Sequence, residues 1–172
     1  VAAIKHNIEI YDRHGFTLVA LEDSAPIDKV RMGLDGRDEQ IDNFIQQIRA
    51  MGKLGIPTFA YNWMALSSWG RTDVAIEDRG GALVTGYTRS VAQAQSPLLE
   101  AGELSARQMW DALEYFLKAV VPEAEKAGVR LAMHPDDPPQ QLDRGVPRIM
   151  SSVASFRRLV DLVPSDYNGI TF

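Results

Sequence analysis

The apolar positions Ile4, Ile8 and Tyr11 recur at helical spacing, and Gly15 follows as a stop. The run Phe16-Thr17-Leu18-Val19-Ala20-Leu21 has strand character without alternation, which predicts a strand covered on both faces. Glu22, Asp23 and Ser24 then open a loop that contains Pro26. From 36 to 53 the period is again helical: Ile41, Phe44, Ile45, Ile48 and Met51 share one side, opposite Asp42, Asn43, Gln46 and Arg49. Pro57 suits the entry to a second strand over 58–63. The stretch 64–102, rich in Gly, Ser, Thr and charge, has no clear period and reads as a long loop or insertion.

Glu103-Leu104-Ser105 starts the clearest helix, whose stripe of Trp110, Leu113, Phe116, Leu117, Val120, Val121 and Ala124 runs to Ala127 before Gly128 ends it. Pro122 inside that stripe predicts a kink or a break. A third strand is expected over 129–133, and the abrupt His134-Pro135-Asp136-Asp137-Pro138-Pro139 closes it. After a loop to Met150, Ser151 or Ser152 is placed to cap a helix carrying Val153, Phe156, Leu159, Val160 and Val163. Pro164 ends that helix, and 167–172 reads as a fourth strand.

Helices alternating with short strands predict an α/β fold with a parallel sheet built from right-handed βαβ units. Four such strands correspond to part of a (β/α)8 TIM barrel, with an open doubly wound sheet as the competitor. No Gly-x-Gly-x-x-Gly follows any strand, so dinucleotide binding of the usual kind has no support. The 172 residues, 45% hydrophobic and 24% charged, suit a single domain over 1–172. The net charge of −5 is spread without blocks, which argues against nucleic acid as a partner. A small anionic substrate would instead need locally placed Arg or Lys. Without cysteine, the segment can build neither a disulfide nor a thiolate metal site. No run approaches the roughly 20 apolar residues of a membrane span, and the N-terminus lacks a signal-peptide layout. Those features set the expectation of a cytoplasmic protein with no membrane partner. The chain begins without Met inside a helical pattern, as a segment starting mid-protein would.

Active sites in such folds collect beyond the carboxyl ends of the strands. The residues there are Glu22 with Asp23, Asn62 with Trp63, and His134 with Asp136 and Asp137. His134 has two readings: a ligand for a divalent metal fixed by a strand end, or a hydrogen-bonded loop histidine. Asp136 and Asp137 are placed to orient that ring, ligate metal, bind sugar hydroxyls or simply shape a turn. Arg71 and Arg148, in loops on the same side, could each fork a carboxylate. Trp63 and Trp69 either stack on a sugar ring or pack beneath the loop. His6 and His14 read as surface residues.

Several stretches together resemble the mannonate dehydratase family: His134-Pro135-Asp136-Asp137-Pro138-Pro139 followed by Gly145-Val146-Pro147-Arg148-Ile149-Met150, Tyr61-Asn62-Trp63-Met64, Trp69-Gly70-Arg71-Thr72-Asp73 and Asn168-Gly169-Ile170-Thr171-Phe172. The resemblance implies a TIM barrel of the xylose-isomerase-like group. It implies a lyase that dehydrates D-mannonate to 2-keto-3-deoxy-D-gluconate in hexuronate breakdown with Mn2+ or Fe2+, working as a homodimer. Of the family's metal ligands (two histidines, a cysteine and an aspartate), only the first histidine maps here, onto His134. The cysteine, the other ligands and the acid–base groups are expected on later strands. The resemblance thus implies a segment lacking the first strand and the C-terminal half, inactive alone. Asn62, Trp63, Arg71, Asp136, Asp137 and Arg148 are the residues expected to contact substrate. A sugar isomerase or epimerase of the same superfamily and a non-catalytic carbohydrate-binding fragment are the competing functions.

Overall fold

The computed structural model describes residues 2–22, 26–66, 69–100 and 102–171. Asp23 and Ser24 of the predicted loop, and the strand end at Phe172, lie outside them. Helix α1 (Ala2–Arg13) leads to strand β1 (Ala20–Glu22) and the short helix α2 (Asp28–Met32). Helix α3 (Arg37–Lys53) and strand β2 (Thr58–Tyr61) follow. Next come strands β3 (Asp73–Glu77) and β4 (Leu83–Gly86), then helices α4 (Arg89–Gln93) and α5 (Ala106–Ala127). Strands β5 (Arg130–Met133), β6 (Leu142–Asp143) and β7 (Val146–Pro147), helix α6 (Val153–Leu162) and strand β8 (Asn168–Ile170) complete the order.

The main sheet runs β1-β2-β5-β8 and every pair in it is parallel. Each new strand therefore joins the same side as its predecessor. A doubly wound sheet reverses that order at a switch point; a barrel does not. The fold is the partial TIM barrel that the alternation predicts.

Aromatic packing explains why the helices lie where they do. Phe59 and Tyr61 of β2 face α3 and α5, where Phe44 stacks on Phe59 at 4.7 Å and meets Phe116 edge-on at 4.9 Å. Leu131 and Met133, their register partners on β5, are equally enclosed. The opposite side of the sheet carries a row set by the register, Glu22–Ala60–Ala132–Gly169. Three small residues beside one carboxylate leave room around Glu22 at the strand ends. Alternation along each strand then brings His134, two residues beyond Ala132, toward the same face.

Several expectations need correction. β1 starts four residues later than the apolar run suggests and is not enclosed: it is the edge of the sheet, with Ala20 and Glu22 exposed and Leu21 half-buried, and Phe16 and Val19 ahead of it are 64% and 57% exposed. Helix α5 passes through Pro122 unbroken. Proline removes one backbone bond there, while Val120, Val121 and Ala124 on either side stay buried and hold the axis. At its start Ser105 and Gln108 form a capping box, and Gly128 ends it in the left-handed region. Val153, expected in the core, is exposed at the first position of α6, ahead of the turn in which Phe156 and Leu159 reach the sheet. The stretch 64–102 is an insertion with structure of its own, the antiparallel hairpin β3–β4 and helix α4. Both hairpin strands are exposed almost throughout, which is why no burial period marks them.

Candidate active site

Because β1, β2 and β5 are parallel and in register, Glu22, Asn62 and His134 emerge at one rim. The His134 backbone N–H continues the ladder, donating to the Tyr61 carbonyl at 2.7 Å. Its ring Nδ1 lies 2.7 Å from the Pro135 carbonyl, which can only accept, so Nδ1 carries the proton in the neutral ring. Nε2 is left with its lone pair, 3.9 Å from Glu22 Oε1. A ring fixed in this way by a carbonyl is the usual arrangement of a metal-binding histidine. Trp69 meets the imidazole edge-on at 5.7 Å, from a backbone with φ of 47° that non-glycine residues seldom adopt.

The insertion is tied to the rim beside this ring. The Arg71 guanidinium forks Asp137 through Nη1–Oδ1 at 3.0 Å and Nη2–Oδ2 at 2.7 Å, while its Nε–H donates to Thr85 on β4. One side chain thereby links the hairpin to the loop after β5. Across the rim, Arg31 donates to the Asn62 carbonyl and to Asn62 Oδ1 at 2.9 Å, and pairs with Asp28 at 3.0 Å. Burial lowers the Arg31 pKa; the Asp28 carboxylate opposes this and the nearby Arg148 charge adds to it.

Beneath the rim the loop 134–150 closes on itself. Asp136 is almost fully enclosed; its Oδ2 accepts from the Met150 N–H at 2.6 Å, and its own N–H donates to the Met150 carbonyl. Burial pushes this carboxyl up to about 6, against the opposing pull of the Met150 N–H, Arg148 and His134. Arg148 is buried with Asp143, at 2.9 Å.

The rim thus gathers His134, Asn62, Asp137 and Arg71 from the expected set. Trp63 is the clear correction: it is 0% exposed, donates its indole N–H to the Met109 carbonyl and packs on Phe116, so it presents nothing to a substrate. Trp69 holds the position at the imidazole instead. Neither expected carboxylate clamp stands open, since Asp137 occupies Arg71 and Asp143 occupies Arg148. Nothing in the sequence marks Arg31, because the five-residue α2 is too short to give a periodic signal. His6 and His14 are exposed, as expected.

A divalent ion has two donors of suitable type here, the free Nε2 of His134 and the Glu22 carboxylate. Their 3.9 Å separation is one that bonds of about 2.1 Å can span. The described residues contain no group of three or more such donors, so the pair fits as part of a site. No helix among the described residues is long and apolar enough to cross a membrane.

Comparison with known proteins places this geometry in context. The family model for D-mannonate dehydratase (UxuA) matches residues 1–101 and 92–172. Mannonate dehydratase 2 of Halalkalibacterium halodurans is 34% identical over 99% of this chain and 55% of its own length. The mannonate dehydratase of Streptococcus uberis is 34% identical over 95% of this chain and 53% of its own. The crystal structure of mannonate dehydratase from Streptococcus suis serotype2 superposes with a TM-score of 0.88 at 32% identity, over 98% of this chain and 49% of that one. The chain spans about half the length of the curated relatives it matches.

Proposed function

Because the chain belongs to the D-mannonate dehydratase family, we propose that it forms the His134 side of the active site of a hydro-lyase acting on D-mannonate. What carries the reading is the match along its whole length to proteins of that name. The reaction removes the proton beside the carboxylate and expels the neighbouring hydroxyl. The two leave as water, and the resulting enol becomes 2-keto-3-deoxy-D-gluconate.

His134 would hold a divalent ion, Mn2+ or Fe2+, through Nε2 with the Glu22 carboxylate beside it, and further ligands would come from outside these residues. When bound, such an ion supplies Lewis acidity to a substrate oxygen. The Pro135 carbonyl keeps the imidazole in the ligating tautomer. Asn62, with Oδ1 already engaged by Arg31 and the Met64 N–H, offers its Nδ2–H to a sugar hydroxyl. Asp136 and Arg148 act from below, bracing the loop that carries His134, while Arg71 holds Asp137 and the Trp69 stretch against the ring.

The test is a chimera in which these 172 residues replace the matching half of the Streptococcus suis enzyme. Supplied with Mn2+, it should convert D-mannonate to a 3-deoxy-2-keto acid. A folded chimera that instead yields an epimer or ketose isomer, or no product at all, overturns the reading.

A further inference from the structure

We propose that a second small-molecule site, independent of the His134 rim and of the dehydratase reading, lies between α4 and the loop 139–145, and that it takes a hydroxylated carboxylate. A cleft of about 810 Å3 opens there, a volume that suits a small ligand. None of Glu22, Asn62, His134, Asp136 or Asp137 lines it.

Its chemistry is one-sided. Arg89 and Arg144 contribute two guanidiniums, and no Asp or Glu is among its described lining residues. Among the described residues neither arginine has an ion-pair partner; Asp143, next in sequence to Arg144, is engaged by Arg148. Two unneutralised guanidiniums on one cleft attract an oxyanion, and a planar fork suits a carboxylate. Gln93 and Gln95 on one wall and Gln140 and Gln141 on the other supply amide donors and acceptors of the kind hydroxyls need. Leu99 and Pro139 give apolar surface for a C–H face.

Arg144 and Gly145 are the two central residues of the tight turn between β6 and β7, a turn that takes positive φ at both positions. Arg144 sits at φ 46°, a conformation that costs a non-glycine residue. It is pinned there by the Leu98 N–H donating to its carbonyl at 2.7 Å. The next residue, Gly145, packs so tightly on the Leu99 carbonyl that a Cβ would overlap it. Glycine at 144 would be easier for the backbone; arginine there gains the charge at the cleft.

Titration calorimetry of the 172-residue chain with D-gluconate, sorbitol, glucose 6-phosphate and inorganic phosphate tests the assignment. Gluconate should bind saturably and sorbitol should not. Arg89→Gln and Arg144→Gly should each weaken gluconate by at least about tenfold, while His134→Ala leaves it unchanged. Glycine suits the positive φ at 144, and an unchanged circular dichroism spectrum and melting temperature of Arg144→Gly separate lost binding from misfolding. Absence of gluconate binding, or wild-type affinity in Arg144→Gly, overturns the site. Loss in His134→Ala would move the binding to the rim, and tighter binding of glucose 6-phosphate or phosphate than of gluconate would overturn the carboxylate assignment.

Discussion

Asp136 shows how much a single side chain in this loop is constrained. Its pKa is raised to about 6 chiefly by burial, so the folded state binds a proton that the unfolded chain has lost above about pH 4. Stability should therefore fall as pH rises from about 4 to 6 and level off beyond, by on the order of 3 kcal/mol at most. Asp136→Asn, which keeps an acceptor for the Met150 N–H, should flatten that slope in urea melts of metal-free protein across this range. At the rim, Arg71→Ala removes the link between hairpin and loop, and hydrogen exchange should quicken in 70–88 while β5 stays protected. Residue by residue, the sequence exposed the chemistry unevenly. His134 is legible because a histidine directly after a strand has its direction fixed by the ladder. Trp63 and Trp69 were interchangeable on paper, since an indole six residues from another carries no sign of which one faces inward. The arginines read as cations but not as already paired, because Asp137 is remote in sequence from Arg71, and Asp143 meets Arg148 only through the way the loop 134–150 turns back on itself.

Elements were legible in proportion to how much they bury. The helices α3 and α5 announce themselves through apolar stripes, and the two pack against each other. They cross closely at Gly52, where a Cβ would overlap the Ala127 carbonyl. Gly52→Ala should thus destabilise by about 1–3 kcal/mol in spite of alanine's better helix propensity. By contrast, Ser105→Ala removes only the capping box of α5 and should cost about 1 kcal/mol; thermal melts of the two variants read the difference. The hairpin β3–β4 leaves no mark in the sequence, because an exposed two-stranded ribbon imposes no burial alternation. The edge strand β1 misled in the other direction, its apolar residues lying largely uncovered at the sheet margin.

At the scale of the whole molecule, strand order in the sheet equals strand order in the chain, which makes the fold barrel-like rather than doubly wound. Alternation alone narrowed the choice to those two; the order of pairing separates them, and no local pattern encodes it. The same winding brings three strand ends to one rim and offers a free imidazole nitrogen where a carboxylate also arrives. Metal analysis of the purified chimera and its His134→Ala variant, after dialysis against Mn2+ and buffer, tests this directly. About one Mn2+ per chain is expected in the first and none retained in the variant, with the fold unchanged by circular dichroism. Stoichiometric Mn2+ in the His134→Ala protein would contradict it.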